Sequence, residues 1–240
     1  MKDVRLASDY LEGTFAYSAY NSLTNAIVVA FRGSHNYING LFDIDFYLVP
    51  YTDGPVGAQV HTGFLDSYLG LQTQVISGVA ELLAKYPQTA EIHVVGHSLG
   101  GAMATLAALD LKKQLLPKQP FKFYTFGAPR VGNEAFSDYV FSVFPDGGYH
   151  RIVHQNDLSP HLPMESQGFK HAGDEAWYWN AEDQLAYKVC KNEAQEPESI
   201  WCSNSYFIYD GSLHWDYMGY QILGQCDQPA PFGEATLKTE

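Results

Sequence analysis

The sequence predicts an α/β fold in which a mostly parallel central sheet is covered by helices. Short apolar runs typical of buried strands alternate with longer segments whose apolar residues recur at steps of three and four, as in amphipathic helices. The chain also has 240 residues with 46% hydrophobic content, enough for one sizeable core. We therefore expect a single domain spanning residues 1–240.

Strands and helices can be placed in chain order. The strand candidates are Phe15–Tyr20, Ala26–Phe31, Glu91–Val95, Phe121–Phe126, His150–His154 and Trp177–Trp179. The first helix is predicted from about Gly63 to Tyr86, because its apolar positions keep helical spacing up to Pro87. A second helix follows Ser98, and a third is predicted over about residues 133–144. The tail, residues 227–240, opens with linker-like composition and is expected to be loose.

Charge and cysteine content narrow the classes of protein. A net charge of −13, with no basic cluster, argues against a nucleic-acid partner. No apolar run approaches the roughly 18 residues of a transmembrane helix. Cys190 and Cys202 flank a polar loop and are predicted to form a disulfide, which favours secretion, with a signal or pro-segment that is not in this sequence. No cysteine has metal-ligand spacing to a histidine, so we expect no metal site.

The most informative segment is Gly96-His97-Ser98-Leu99-Gly100, which lies between a predicted strand and a predicted helix. Gly-x-Ser-x-Gly in this setting is typical of a nucleophile elbow, a sharp turn that holds an exposed serine hydroxyl in a strained backbone conformation. The flanking glycines let strand and helix approach without Cβ clashes. Because the helix begins directly after Ser98, its free amides point to where a negatively charged tetrahedral intermediate would form. Ser98 is therefore the candidate nucleophile.

A serine nucleophile needs a histidine base that is oriented by a buried carboxylate. In an elbow fold both partners follow the serine in the chain, the acid before the base. Asp157 is the best acid candidate, because it follows the predicted strand His150–His154 in a proline-containing loop. From the residues alone, His161, His171 and His214 remain alternatives for the base.

Several motifs resemble the fungal-type class 3 lipase family, which contains secreted triacylglycerol lipases and feruloyl esterases. The matching segments are Phe31-Arg32-Gly33-Ser34, His61-Thr62-Gly63-Phe64, the Ser98 elbow, Tyr124 to Asn133, Asn156 to Pro163, and Ser212 to Tyr217. They keep the family's order over about residues 26–226. The resemblance implies an α/β-hydrolase fold and a catalytic triad of Ser98, Asp157 and His214. His161 and His171 then become structural residues, and His97 is expected to pack away from the nucleophile.

The resemblance also implies an oxyanion hole and a lid. It assigns the hole to the backbone amide of Leu99 and to the amide and hydroxyl of Ser34, and it places a mobile lid at about residues 35–46. The apolar lid residues recur at helical spacing: Tyr37, Ile38, Leu41 and Phe42. A short amphipathic helix of this kind could cover the serine in water and turn outward at a lipid surface, although the same pattern also fits a core helix.

These observations predict a serine carboxylic-ester hydrolase, specifically a triacylglycerol lipase that cleaves glycerides to fatty acids through an acyl-enzyme at a lipid–water interface. An apolar lid favours lipid esters over a soluble phenolic ester. A feruloyl or short-chain esterase, or a phospholipase A1, is the alternative on the same triad. A catalytically silent lipid-binding protein is the alternative from another class. The mechanism needs no metal or organic cofactor, and we expect a monomer.

One feature departs from the family pattern. Related chains carry a longer segment ahead of the first strand, which includes a cysteine able to pair with one near the carboxyl end. Only about 25 residues precede Ala26 here, so Cys226 is expected to lack that partner.

Overall fold

A computed structural model describes residues 1–33, 47–115, 117–145, 148–180, 186–191 and 198–222. Its strands are β1 (Lys2–Asp9), β2 (Thr14–Asn21), β3 (Ala26–Phe31), β4 (Leu48–Pro50), β5 (Gln59–His61), β6 (Glu91–His97), β7 (Phe121–Phe126), β8 (Tyr149–His154), β9 (Asp174–Tyr178), β10 (Lys188–Cys190), β11 (Asp216–Tyr217) and β12 (Tyr220–Gln221). Its helices are α1 (Thr62–Lys85), α2 (Leu99–Leu115) and α3 (Glu134–Val143). Short 3-10 turns lie at Ser159–His161, Glu165–Gln167, Ser203–Ser205 and Gly211–Trp215.

The predicted strands and helices are all present, with ends that differ by a few residues. Strand β1, which pairs antiparallel with β2, is not among the sequence predictions. Its apolar residues Val4 and Leu6 are exposed, whereas the charged Asp3 and Arg5 are half-buried. The sequence therefore lacks the usual pattern of a half-buried strand, and pairing with β2 is what makes this segment a strand. The predicted lid at about residues 35–46, Ser34, Cys226 and the predicted loose tail lie outside the described residues.

The central sheet has eight strands in the order β1-β2-β3-β6-β7-β8-β9-β10. The pairs from β3 to β9 are parallel, and the flanking pairs are antiparallel. The parallel strands follow one another in chain order, and right-handed crossovers therefore place the helices on the same face. On that face the three described helices join one core with Val29, Val94 and Phe123. The expected mostly parallel, helix-bearing sheet is confirmed.

The parallel arrangement brings several chain segments to one edge of the sheet. The carboxyl ends of β6, β7 and β8 lie side by side, because the Ser98 amide donates to the Phe126 carbonyl at 2.9 Å and the Gly127 amide donates to the Ile152 carbonyl at 3.0 Å. Ligand and catalytic sites of α/β sheets lie at this carboxyl edge. The loops that follow these strands carry Ser98 and Asp157.

The start of α1 explains one of the sequence motifs. His61 caps the helix, since its Nδ1 accepts from the Phe64 amide at 3.4 Å. Burial lowers the pKa of His61 to about 4, so the ring is neutral near pH 7 and Nδ1 is able to accept. The motif His61-Thr62-Gly63-Phe64 thus fixes where α1 begins.

The predicted disulfide is present. It joins Cys190, at the end of β10, to Cys202. Cys202 follows a loop that Glu198 anchors to the core, because the buried Glu198 carboxylate accepts from both Nε and Nη2 of Arg130 at 2.8 Å. The covalent bond and the ion pair together hold residues 198–205 against the body of the domain.

Candidate active site

Ser98 occupies a turn that only small neighbours allow. Its φ is +59°, in the left-handed region that non-glycine residues rarely adopt. A Cβ on Gly96 would lie 2.1 Å from the Gly100 carbonyl oxygen, and one on Gly100 would lie 2.4 Å from the Phe31 carbonyl oxygen. Both positions therefore require glycine, as expected for a nucleophile elbow.

The serine side chain differs from the sequence expectation in one respect. It is buried, with the residue 1% exposed, instead of standing open to solvent. The loop after β3 passes directly over the turn, since a Cβ on Gly33 would lie 3.3 Å from the Ser98 Cβ. An ester can reach the hydroxyl only after the surroundings rearrange.

Asp157 and His214 form a fully buried pair. The Asp157 Oδ2 lies 2.9 Å from the His214 Nδ1, and both side chains are 0% exposed. A backbone bridge between Asp157 and Asp210 brings the two loops together, and Asp210 then accepts from the Ser212 amide to start the 3-10 turn that carries His214. Because the carboxylate binds Nδ1, the neutral imidazole keeps its lone pair on Nε2.

Tyr217 is a member of this site that the sequence analysis did not identify. Its hydroxyl donates to the Asp157 Oδ2 at 2.5 Å, and the Ser159 amide donates to Oδ1 at 3.0 Å. Burial, with the Asp157 charge nearby, raises the pKa of Tyr217 well above its usual value, so the phenol remains a donor. Its position three residues after His214 was visible in the sequence, but only the fold places the hydroxyl on the carboxylate.

Two polar atoms of this site lack hydrogen-bond partners among the described residues. They are the Ser98 Oγ and the His214 Nε2, and both are buried. A serine hydroxyl and an imidazole nitrogen are the two atoms that a serine hydrolase pairs during proton transfer, and such contacts are often long before substrate binds.

The other candidate bases lie elsewhere. The His161 ring stacks on Tyr209 with a centroid distance of 4.0 Å. The His171 Nε2 binds the Pro160 carbonyl at 2.7 Å. Of the three histidines that the residues alone left open, the structure therefore pairs only His214 with Asp157.

His97 is a packing histidine, as expected from the sequence, and it packs against the loop that carries His214. Its Nε2 lies 2.8 Å from the backbone carbonyl oxygen of His214, and the two rings have a centroid distance of 4.4 Å. Burial, reinforced by the neighbouring His214, lowers the pKa of His97 to about 3. His97 is therefore neutral at ordinary pH, and since a carbonyl only accepts, Nε2 carries its proton.

The proposed oxyanion donors are described only in part. Leu99 is the first residue of α2, and a first-turn amide has no acceptor within its own helix. Ser34, together with the predicted lid residues Tyr37, Ile38, Leu41 and Phe42, lies outside the described residues.

Within the described ranges, no three His, Cys, Asp or Glu side chains cluster in a way that could hold a metal ion. None of the described helices has the length and hydropathy needed to cross a bilayer.

The elbow, the buried carboxylate–imidazole pair and the parallel sheet together define an α/β-hydrolase with a serine site. The family is more specific. The model of the class 3 lipase family matches residues 28–167, and the chain belongs to that family.

Among its relatives, a lipase of Rhizomucor miehei is 37% identical over 224 residues, which are 91% of this chain and 59% of that protein. A secreted mono- and diacylglycerol lipase of Fusarium solani is 37% identical over 219 residues, 89% of this chain and 62% of that protein. The chain thus spans about three fifths of the length of these relatives.

The fold is similar to that of a solved triacylglycerol lipase whose catalytic centre is formed by a serine protease triad. The TM-score is 0.79 at 35% identity, and the match covers 92% of this chain and 83% of that one. The overall fold predicted from the sequence is confirmed.

Proposed function

We propose that this protein is a triacylglycerol lipase in which Ser98, Asp157 and His214 act as the catalytic triad. The observation that carries the proposal is the Asp157–His214 contact of 2.9 Å in a fully buried setting, which leaves the His214 Nε2 available to a serine on the adjoining strand end. The names of the relatives support a glyceride ester as the substrate class.

The reaction follows from this arrangement. The His214 Nε2 takes the Ser98 hydroxyl proton while Oγ attacks the ester carbonyl carbon, and the carbonyl oxygen becomes an oxyanion. Collapse of the tetrahedral intermediate expels the alcohol, which receives the proton from Nε2, and leaves an acyl-enzyme. Water then loses a proton to Nε2 and attacks the acyl carbon, which releases the fatty acid and returns the proton to Ser98.

The charges formed on this path have partners. Asp157 stabilises the His214 imidazolium, and the Ser159 amide and Tyr217 hydroxyl hold the carboxylate in place. We assign the oxyanion to the Leu99 amide, at the positive end of α2, and to Ser34. Donors that are already in position when the charge develops contribute several kcal/mol of transition-state stabilisation.

Burial of Ser98 supports activation at a lipid surface. A serine residue that is 1% exposed cannot reach a glyceride carbonyl carbon with its hydroxyl without a rearrangement. We assign that rearrangement to the apolar segment of about residues 35–46, whose transfer into lipid would compensate for uncovering the site. Secretion is part of the same proposal: the Fusarium relative is named as secreted, and the Cys190–Cys202 disulfide is typical of oxidising compartments.

The test is hydrolysis of a glyceride by the purified protein. Ser98→Ala should lower kcat by at least about a thousandfold, whereas Ser142→Ala, at an exposed serine on α3, should not change it. An organophosphonate should label Ser98 in the parent. Full activity of the Ser98 variant would refute the triad.

A comparison of substrates tests the finer assignments. The rate on a glyceride should rise sharply when its concentration exceeds solubility. Equal rates on dissolved and emulsified glyceride would contradict the lid. Faster turnover of a feruloyl ester, a short-chain ester or a phospholipid would place the enzyme in one of the alternative classes, and labelled Ser98 without turnover of any ester would favour a lipid-binding protein.

A further inference from the structure

We propose that His97 and His154 are positioning residues that clamp the loop carrying His214 through two consecutive backbone carbonyls. The inference rests on the proposed role of His214 as the base. It concerns neither proton transfer nor substrate contact, but the mechanism by which a histidine on a short loop is held in register with a serine on a strand end.

The contacts are adjacent on the loop and come from two different strands. The His97 Nε2 lies 2.8 Å from the His214 carbonyl oxygen. The His154 Nδ1 lies 3.3 Å from the Leu213 carbonyl oxygen. His97 ends β6 and His154 ends β8, so the loop is held from two sides by strands of the central sheet.

Each clamp histidine is close in sequence to a different member of the triad. His97 directly precedes Ser98 in the chain. Its side chain therefore connects the backbone of His214, through one hydrogen bond, to the residue next to the nucleophile. His154 lies three residues before Asp157, and a backbone hydrogen bond from the Asp157 amide to the His154 carbonyl closes that turn at 2.9 Å. A shift of the loop would therefore break contacts with both strand ends.

The loop needs such support because its own structure is slight. His214 lies in a five-residue 3-10 turn, which has fewer and poorer hydrogen bonds than an α-helix. Two rigid imidazoles can fix it: the His154 ring stacks on Tyr178 with a centroid distance of 4.6 Å and an interplanar angle of 7°. His154 is 2% exposed and cannot exchange its contact for one with bulk water.

The two contacts use different ring nitrogens, and this makes the proposal specific. A carbonyl only accepts, so His97 must carry its proton on Nε2 and His154 on Nδ1. The His154 Nε2 is buried without a partner among the described residues, as expected for the unprotonated nitrogen of that tautomer. Long-range proton–nitrogen correlation spectra should therefore show opposite tautomers for the two rings.

Amide side chains provide the decisive test. The amide nitrogen of Gln reaches about as far as a histidine Nε2, and that of Asn about as far as Nδ1. His97→Gln should therefore retain kcat within about threefold of the parent, while His97→Asn and His97→Ala lose roughly ten- to a hundredfold with little change in KM. At position 154 the order should reverse, with Asn retaining activity and Gln losing it.

His150 is the matched control. It is a half-buried histidine of β8 that stacks on Tyr124 of the neighbouring strand β7, and not on the His214 loop. His150→Gln and His150→Asn should both leave kcat unchanged. Thermal unfolding of every variant shows whether a lower kcat belongs to a folded protein or results from loss of the fold.

The outcomes separate this proposal from the proposed function. Equal activity of the Asn and Gln variants at both positions, or identical tautomers for the two rings, would overturn the clamp. If Ser98→Ala stayed active, the triad itself would be wrong. If Ser98→Ala were inactive while all the His97 and His154 variants matched the parent, the triad would stand and the clamp alone would fail.

Discussion

Replacing Glu198 by Gln should destabilise the fold strongly, because it removes the charge that compensates a buried guanidinium. Glu198 accepts from Arg130 Nε and Nη2, and from the His171 amide at 2.7 Å. The Arg130 and Glu198 side chains are both 3% exposed. The Gln side chain keeps the shape of Glu but removes the buried charge beside Arg130. The guanidinium then faces only the half-exposed carboxylate of Glu165, at 3.5 Å, in a setting of low dielectric constant.

The size of the effect follows from burial. Removing one partner of a buried ion pair costs about 3–5 kcal/mol. For a chain of this size each kcal/mol corresponds to about 2–4 °C in Tm, so a decrease of roughly 6–20 °C is expected. Arg130 Nη1 also donates to the Pro163 carbonyl at 3.0 Å, so the loop after Asp157 should loosen as well.

The loss should depend on pH in a predictable direction. Burial alone would raise the pKa of Glu198. Because burial also keeps His171 neutral, the Arg130 guanidinium, with a smaller effect of Arg151, holds the Glu198 pKa below its usual value. A carboxylate with a lowered folded-state pKa stabilises fully above its unfolded pKa of about 4.3, and the contribution disappears as pH falls through the folded value. The difference between parent and Glu198→Gln should therefore be largest above about pH 5 and shrink below about pH 4.

Scanning calorimetry and urea unfolding at several pH values measure this difference. Glu81→Gln is the control, since the Arg5–Glu81 pair has a similar distance of 2.7 Å but side chains that are 38% and 59% exposed. That variant should unfold within the scatter of repeat scans of the parent, because exposed pairs contribute little. Equal effects of the two substitutions would show that distance, and not burial, determines the value of an ion pair in this protein.

Three further predictions follow from single contacts. Tyr217→Phe should lower kcat about tenfold with little change in KM, measured by steady-state kinetics, because Asp157 loses a buried donor; unchanged kcat would contradict a positioning role. Replacing Cys190 and Cys202 together by Ser should lower the free energy of unfolding, measured in urea titrations, by about 3 kcal/mol, because the disulfide closes a loop with a sequence separation of 12. A smaller change would mean that the loop is already constrained in the unfolded chain. Burial, with nearby arginines, lowers the pKa of His161 to about 3. Below about pH 6.5 the unfolded chain therefore binds a proton that the folded chain does not, and the free energy of unfolding should fall by about 1.4 kcal/mol per pH unit down to pH 3. The His161→Asn variant should show a shallower dependence of this free energy on pH.

The parts of the fold that local sequence determines were predictable. The strand over residues 26–31 and the helix α1 were predicted within one residue at each end, because apolar spacing and a following proline are local signals. The elbow around Ser98 was predictable for the same reason, since strand, turn and helix are consecutive. Strand β1 was not predictable, because its pairing with β2 and its packing against α1 determine its structure more than its own composition does.

Contacts between distant segments could not be predicted from the residues alone. Local sequence left His161, His171 and His214 equivalent as partners of Asp157. Contacts between distant segments, such as the bridge from Asp157 to Asp210, bring the loop that carries His214 to the carboxylate. The partner of His97 was not predictable for the same reason. Its contact is with a carbonyl 117 positions away, and no property of the elbow sequence indicates it.

The site is therefore constructed in two ways that should respond differently to mutation. Ser98 depends on backbone geometry, because its left-handed φ is held by close packing between Gly96, Gly100 and the end of β3. His214 depends on side chains from other segments, since the loop that carries it has little regular structure of its own. Substitutions at the glycines should thus abolish folding and activity together, whereas substitutions around His214 should reduce kcat in a protein that still folds.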